Sequence, residues 1–269
     1  MGVLFLCLVI VKKSNVQKGE KCIFAPLQIK AFNMHYFYSP DIFQPFVALS
    51  NEESEHCVRV MRHREGDVVR VTDGRGHLAE AVVADAHPKR CLLEIRQEIV
   101  DNMLIHNGLH LAIAPTKNAD RMEWLLEKAI EIGVCSLTFL QCDHSERTRL
   151  NLDRLQRLAI AALKQSQTRW LPELCMAKFR DFILQTNEKQ ADKFIAWCDE
   201  NNQRQLVNAP RHYSEMILLI GPEGDFSPEE IDLARKSGYL EVKLGDRRLR
   251  TETAGLYGCL AASLPFIRR

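Results

Sequence analysis

The sequence predicts an α/β protein in two parts: a small β-rich barrel, then a mostly parallel sheet covered by helices on both faces. Three observations carry this. Between Met34 and Val100 apolar and polar residues alternate with period two around tight turns, the pattern of half-buried antiparallel strands. After about Asn102 short apolar runs alternate with amphipathic segments of helical period, the pattern of strand, helix, strand units. The chain has 269 residues, 46% hydrophobic and 26% charged, which is enough to bury two cores.

Taken in order, the first stretch is "GVLFLCLVIV", about ten apolar residues followed by Lys12 and Lys13. It is too short to span a bilayer, and it lacks a basic leader and a small-residue cleavage site. Residues 1–33 therefore read as a non-native or disordered appendage, the product of translation from an upstream start, with a signal peptide as the alternative. Strand-like text begins with "MHYFYSPDIF". Ser50 and Glu53 in "SNEESEHCVRVMR" form a capping-box pattern, with Val58 and Met61 facing inward and arginines outward. "DVVRVTDGRGHLAEAVVADA" reads as a hairpin turning at Asp73-Gly74-Arg75-Gly76, and "RCLLEIRQEIV" as a further strand. Residues 34–102 thus form the expected barrel, and residues 103–269 the α/β domain.

In the second domain "LHLAIAP" is a strand. "RMEWLLEKAIEIGV" carries Met122, Leu125, Leu126, Ala129 and Ile132 on one helical stripe, with Gly133 placed to stop it. "SLTFLQC" is a strand, and a second amphipathic helix runs through Leu152, Leu155, Ala159, Ala162 and Leu163. "KFIAWCDE", "MILLIGP" and "EVKLG" complete the apolar runs.

Charge and cysteine content exclude several classes. With 36 basic and 35 acidic residues the net charge is +1, so an RNA site must be a local patch. Arg59, Arg62 and Arg64 form one such cluster, Arg147, Arg149, Arg154, Arg157, Lys164 and Arg169 a second, and Arg247, Arg248 and Arg250 a third. Each is equally readable as a solvated face. The nine cysteines have no Cys-x-x-Cys pair and no histidine at zinc-finger spacing, which predicts reduced thiols, no metal and a cytoplasmic setting.

Chemistry concentrates in two loops. Ser227-Pro228-Glu229-Glu230 is a strong helix start, so Gly221-Pro222-Glu223-Gly224 lies between the end of a buried strand and that start. In open α/β sheets ligands bind there. Two glycines permit close backbone approach, and the proline stiffens the turn. About twenty residues later "VKLGDRRLRTETAGL" repeats the arrangement, with a helix capped by Thr251 or Thr253. Neither loop is a Walker or a dinucleotide turn, so a ligand would rest on main-chain groups.

"IGPEGDFSPEEI" followed by "LGDRRLRTETA" closely resembles the signature of the RsmE family, the 16S ribosomal RNA uracil-N3 methyltransferases of the SPOUT superfamily. The resemblance extends through "RMEWLLEKAIEIGV", "SERTR", "KQSQTRWLPEL" and the segment from Met34. It implies a PUA-like RNA-binding barrel and a SPOUT-type domain tied in a trefoil knot, which no pattern argument would propose unaided. It further implies that S-adenosylmethionine is bound among Leu219, Ile220, Gly221, Pro222, Glu223, Gly224, Leu244, Gly245, Leu249, Arg250, Thr251 and Thr253. The implied partners are 16S rRNA in the small ribosomal subunit and a second copy of the chain, with no membrane. The apolar "GLYGCLAASLPFI" suits a homodimer, since Gly258, Ala261 and Ala262 permit close helix contact, although an internal core helix reads equally well. The family often has glycine where Asp225 stands and proline where Asp246 stands.

Methylating uracil at N3 removes an imide proton and spreads charge onto the ring oxygens, so a preorganised cation is required. Arg250 is the first choice for that cation, Glu252 for anchoring it or assisting proton removal, and Thr253 for a hydrogen bond. Arg59, Arg62, Arg64, Arg147 and Arg169 are the expected RNA contacts. Rival readings are a SPOUT enzyme acting on a ribose 2′-oxygen or a transfer RNA base, and a non-catalytic RNA-binding assembly protein.

Overall fold

Apolar runs become two sheets in the computed structural model, which describes residues 35–99, 108–197 and 203–267; the appendage expected at residues 1–33 lies outside them. The first sheet contains β1 (Tyr36–Tyr38), β2 (Phe46–Ala48), β3 (Val68–Thr72), β4 (Leu78–Asp85) and β5 (Leu92–Glu98). Its order is β1-β3-β4-β5-β2. The β1–β3 pairing is parallel and the rest antiparallel, so the expected barrel is a curled, mixed half-barrel. Phe37, Ile42, Leu49, Val69, Val71, Ala81, Val83 and Leu93 fill its concave side, together with Cys57.

Cys57 comes from a short helix, α1 (Asn51–Glu55), which passes into one wider π turn over His56–Val60. Ser50 caps α1 by accepting from the Glu53 amide at 3.2 Å. The reciprocal half of the expected capping box is missing, because the Glu53 carboxylate instead accepts from Tyr38 N at 3.0 Å and pairs with Lys164. A long-range cation outweighs a local cap here.

The second sheet is wholly parallel, in the order β11-β9-β10-β6-β7-β8. Its strands are β6 (Leu109–Ile113), β7 (Ser136–Gln141), β8 (Glu173–Lys178), β9 (Asp192–Ala196), β10 (Met216–Ile220) and β11 (Leu240–Val242). Helices α2 (Ala119–Ile132), α3 (Leu152–Ser166) and α6 (Thr251–Ile267) cover one face; α4 (Phe179–Thr186) and α5 (Pro228–Lys236) cover the other. Strand β10 shows why its sequence reads as an unbroken apolar run: Met216, Leu218 and Ile220 enter the first core, and Ile217 and Leu219 the second.

Gly133, at φ 91°, ends α2 as expected. The buried stripe of α2 uses Ile130 where the period suggests Ile132, which is only partly covered. Strand β8 and helix α4 were not legible: β8 is an edge strand whose residues are at best half-buried, so it lacks the solid apolar run of its neighbours.

The two sheets meet at the β3–β4 turn. Gly76 N donates to Arg169 O and Leu171 N to Gly74 O, both at 2.9 Å, a two-bond strip between the hairpin tip and the α3–β8 connection. Gly74 and Gly76 have positive φ, and a side chain at either would strike Leu171 or the Trp170 ring. Close approach therefore requires glycine at both positions.

Candidate active site

Strands β10 and β11 both flank β9 and both end in register with one residue: Ile220 and Val242 each pair with Ala196. Their two loops therefore leave the same carboxyl edge about 10 Å apart, two strand spacings. The sequence order suggests neighbouring strands, but β9 lies between them.

The β10–α5 loop begins with buried Gly221 and Pro222 and turns through a hydrogen bond from Asp225 N to Pro222 O at 3.0 Å. Asp225 is left-handed, φ 64°, and its carboxylate accepts from Phe226 N at 2.8 Å. This conformation suits glycine, which gives a physical reason for the alternative residue expected there. A side chain at Gly221 would press on Phe226, and one at Gly224 on His144. Among the described residues, the amides of Glu223 and Gly224, and those of residues 244–249, find no main-chain acceptor. Such an edge, rich in amides without a main-chain acceptor and carrying glycines at 221, 224 and 245, fits a ligand held by peptide groups.

Long-range bonds fix this loop from two sides. Glu223 accepts from Lys117 N at 3.2 Å, in the β6–α2 loop. The Arg147 guanidinium donates twice to Lys117 O, at 3.0 and 2.7 Å. On the other side Ser227 donates from its hydroxyl to Asp143 at 2.6 Å, while Glu230 accepts from Asp143 N and Ser227 N at 3.0 and 2.9 Å. Ser227 and Glu230 form the capping box that the sequence predicts. Burial raises the Glu230 pKa above the usual carboxylate range, against the pull of these amide donors. His144 bridges to Asp225 O through Nδ1 at 3.0 Å. Lys117, Asp143 and His144 escaped the sequence reading because nothing local marks a loop residue as a brace for a loop 80 to 106 positions away.

The second loop is held more lightly. Lys243 pairs with the 204–206 segment, and Gln205 reaches Asp246 at 3.5 Å. Gly245, Asp246, Arg247 and Arg248 are exposed. Helix α6 starts at Thr251, so Thr251 and Thr253 lie in its first turn and do not cap it. Arg250 is exposed, and its side chain makes no hydrogen bond or ion pair among the described residues. Glu252 is buried and does not anchor Arg250. Its Oε1 lies 3.7 Å from Arg121 Nε on α2, and its Oε2 is buried without a hydrogen bond.

The remaining expected residues divide. Leu219 and Ile220 are buried, so only their main chain is available at the edge; Leu244 and Leu249 are partly buried against the first core. Arg59, Arg62 and Arg64 are exposed on the half-barrel, with Arg59 paired to Glu55 at 2.7 Å. Arg169 is 5% exposed and donates to Ile99 O at 3.2 Å. Its placement is that of a strut between the two sheets and not of a surface contact. Two open hollows, one lined by Gln141, Met176, Lys178 and Asp181 and the other by Arg62, His63 and Arg64, are not bounded by the β10 or β11 loops. No group of three or more potential metal ligands occurs among the described residues.

A curled mixed sheet thus accompanies a wholly parallel sheet whose carboxyl edge carries two glycine-containing loops, and matches to known families put this chain in the class of RNA methyltransferases. The family description "RNA methyltransferase domain" matches residues 105–263, and "RNA methyltransferase PUA domain" matches residues 49–96. Among individual relatives, Ribosomal RNA small subunit methyltransferase E of Synechocystis is 31% identical, covering 79% of this chain and 71% of its own. A crystal structure of a probable rRNA-methyltransferase from Porphyromonas gingivalis is 38% identical with a TM-score of 0.79, covering 88% of this chain and 100% of that one. Ribosomal RNA small subunit methyltransferase E from Neisseria gonorrhoeae, solved bound to S-adenosyl methionine, is 25% identical with a TM-score of 0.75, covering 86% and 97%. The chain belongs to the RsmE family of ribosomal RNA methyltransferases.

Proposed function

We propose that this protein methylates N3 of a specific uridine in 16S rRNA of the small ribosomal subunit, using S-adenosylmethionine. The observation that carries the reading is the pair of glycine-containing loops leaving β10 and β11 in register with Ala196, in a chain of this family. When bound, S-adenosylmethionine would supply an electrophilic sulfonium methyl for the uracil N3, with its thioether as the leaving group and the N3 proton passing to water. Gly221, Pro222, Glu223 and Gly224 offer main-chain groups on one side, with the backbone of Leu219 and Ile220 behind them. Leu244, Gly245, Leu249, Arg250, Thr251 and Thr253 offer the other side.

Arg250, exposed and without an internal partner among the described residues, is suited to stabilise negative charge on the uracil oxygens, a contribution of about 3 kcal/mol for a well-placed donor. Glu252 faces Arg121 at 3.7 Å; Thr253, exposed in the first turn of α6, is available as a hydrogen-bond donor. Arg59, Arg62 and Arg64 guide the RNA.

The reading includes residues 34–102 as the RNA-binding domain, residues 103–269 as the catalytic domain with the family's trefoil knot, and a cytoplasmic homodimer. Gly258 and Ala262 pack inside the subunit, Gly258 against Leu218, so a dimer contact through α6 falls to its outer residues Leu260 and Leu264, both over 40% exposed.

The test is nucleoside mass spectrometry of 16S rRNA from a strain lacking the gene, before and after restoring a chain that begins at Met34. Loss and return of one N3-methyluridine is expected. An unchanged N3-methyluridine content, or a missing 2′-O-methyl nucleoside in its place, refutes the proposal.

A further inference from the structure

Two large aromatic side chains stand in solvent on the half-barrel. Phe43 is 65% exposed and Phe46 53%, where burying a phenylalanine is worth about 1.5–3 kcal/mol. Phe43 is not simply loose. It packs edge-to-face on His77, ring centroids 4.9 Å apart, and its amide is held by the Asp41 carboxylate at 3.2 Å. The His77 ring is fixed in turn: Nδ1 lies 2.7 Å from Asp73 Oδ2, and the Asp73 side chain is fully buried. The other Asp73 oxygen accepts from Arg75 N at 2.8 Å and His77 N at 3.2 Å.

A buried carboxylate with both oxygens bonded thus holds an imidazole that is itself 42% exposed. The Nδ1 contact leaves Nε2 as the ring's remaining polar atom. Exposed Arg75 lies two residues from His77 on the same turn, so the turn carries a permanent cation as well as the ring. The turn is also the one clamped to Arg169 and Leu171 of the other domain, so whatever docks on it is held at a set distance from the edge loops.

From this geometry we infer that Phe43 and His77, on a turn that also carries Arg75, form a stacking platform for an unpaired base of the RNA substrate, separate from the basic cluster at residues 59–64. A preordered, exposed aromatic pair fits a nucleobase, since every base has a π face and single-stranded segments offer theirs. The inference rests on the rRNA methyltransferase reading and names the surface that would position its substrate.

The test compares Phe43→Leu, Phe43→Trp and His77→Ala with the unaltered protein, using small ribosomal subunits from cells lacking the modification. Loss of one stacked base lowers affinity by about tenfold or more. Phe43→Leu, equally apolar but without a π face, is expected to raise KM about tenfold at unchanged kcat, and His77→Ala to do the same to a smaller degree. Phe43→Trp is expected to keep KM within about twofold. Wild-type KM in Phe43→Leu overturns the platform, as does an equal loss in Phe43→Trp. A lowered melting temperature in Phe43→Leu with KM unchanged would make the patch a seat for protein surface and overturns it as well. None of these outcomes bears on whether the unaltered protein methylates RNA, so the platform and the activity fail separately.

Discussion

Glu53, three residues past the cap of α1, forms an ion pair with Lys164 near the end of α3 and so ties the half-barrel to the parallel sheet. Both side chains are largely buried, at 9% and 17% exposure. Removing only the cation strands a carboxylate whose remaining bond is to Tyr38 N. Lys164→Met is therefore expected to cost about 3 kcal/mol in urea unfolding, the low end for breaking a buried pair. The double variant Glu53→Gln, Lys164→Met is expected to recover part of that loss. A double-variant loss equal to the sum of the losses of Lys164→Met alone and Glu53→Gln alone would show that the pair has no coupling.

Gly76 makes the second tie. Gly76→Ala puts a methyl group into the Trp170 ring at φ 105°, a conformation open mainly to glycine. A stability loss of about 2–4 kcal/mol is expected, from strain and displaced packing together. Trp170→Ala in the same background is expected to relieve the overlap. Thermal melts of the two variants check this.

Glu230 gives a pH signature. Its pKa is raised in the folded protein by burial. The proton is held more tightly when folded, so the stabilising contribution is complete below the ordinary glutamate value of about 4.3. It is lost as pH rises through the elevated folded value. Glu230→Gln removes that dependence and also leaves one of two amide donors, Asp143 N or Ser227 N, short of an acceptor, at about 1–3 kcal/mol. Urea midpoints between pH 4 and 8 are expected to be lower for the variant and flatter with pH. A parallel pair of curves would remove Glu230 as the source.

Arg250 and Arg121 should separate chemistry from scaffold. Arg250→Ala breaks no side-chain bond among the described residues, so stability is expected to change by no more than about 0.5 kcal/mol. Methyl transfer is expected to fall about 100-fold or more with any dimer retained. Arg121→Ala takes from buried Glu252 the cation that faces it and is expected to lower the melting temperature. An active Arg250→Ala protein removes that arginine from the mechanism.

Joint replacement of Arg59, Arg62 and Arg64 by alanine should act on the RNA backbone. RNA affinity is expected to fall, and the slope of log affinity against log salt to lessen by about 0.7–0.9 for each phosphate no longer neutralised. Arg59 contributes least, since Glu55 already pairs with it. An unchanged slope would reduce the cluster to ordinary surface charge.

Local signals set much of the molecule. The Ser227 and Glu230 capping box, the Gly133 stop, the hairpin at Asp73–Gly76 and the apolar runs of β6, β7, β9 and β10 were all legible, because each depends on residues within one or two turns of chain. So were the two loops, whose motifs mark the family. Strand order was not: that β9 separates β10 from β11 depends on pairing between segments about 20 to 50 residues apart, to which local periodicity is blind.

The same limit governed individual side chains. Glu53 looked like half of a cap and became an anchor for Lys164; Arg169 looked like an RNA contact and became a buried strut; Glu252 looked like a partner for Arg250 and lies against Arg121. A residue's type fixes what it can bond, and its neighbours along the chain fix the backbone that carries it. Which charge it meets is settled only when distant elements pack, because an ionic contact is decided by distance in space and by burial.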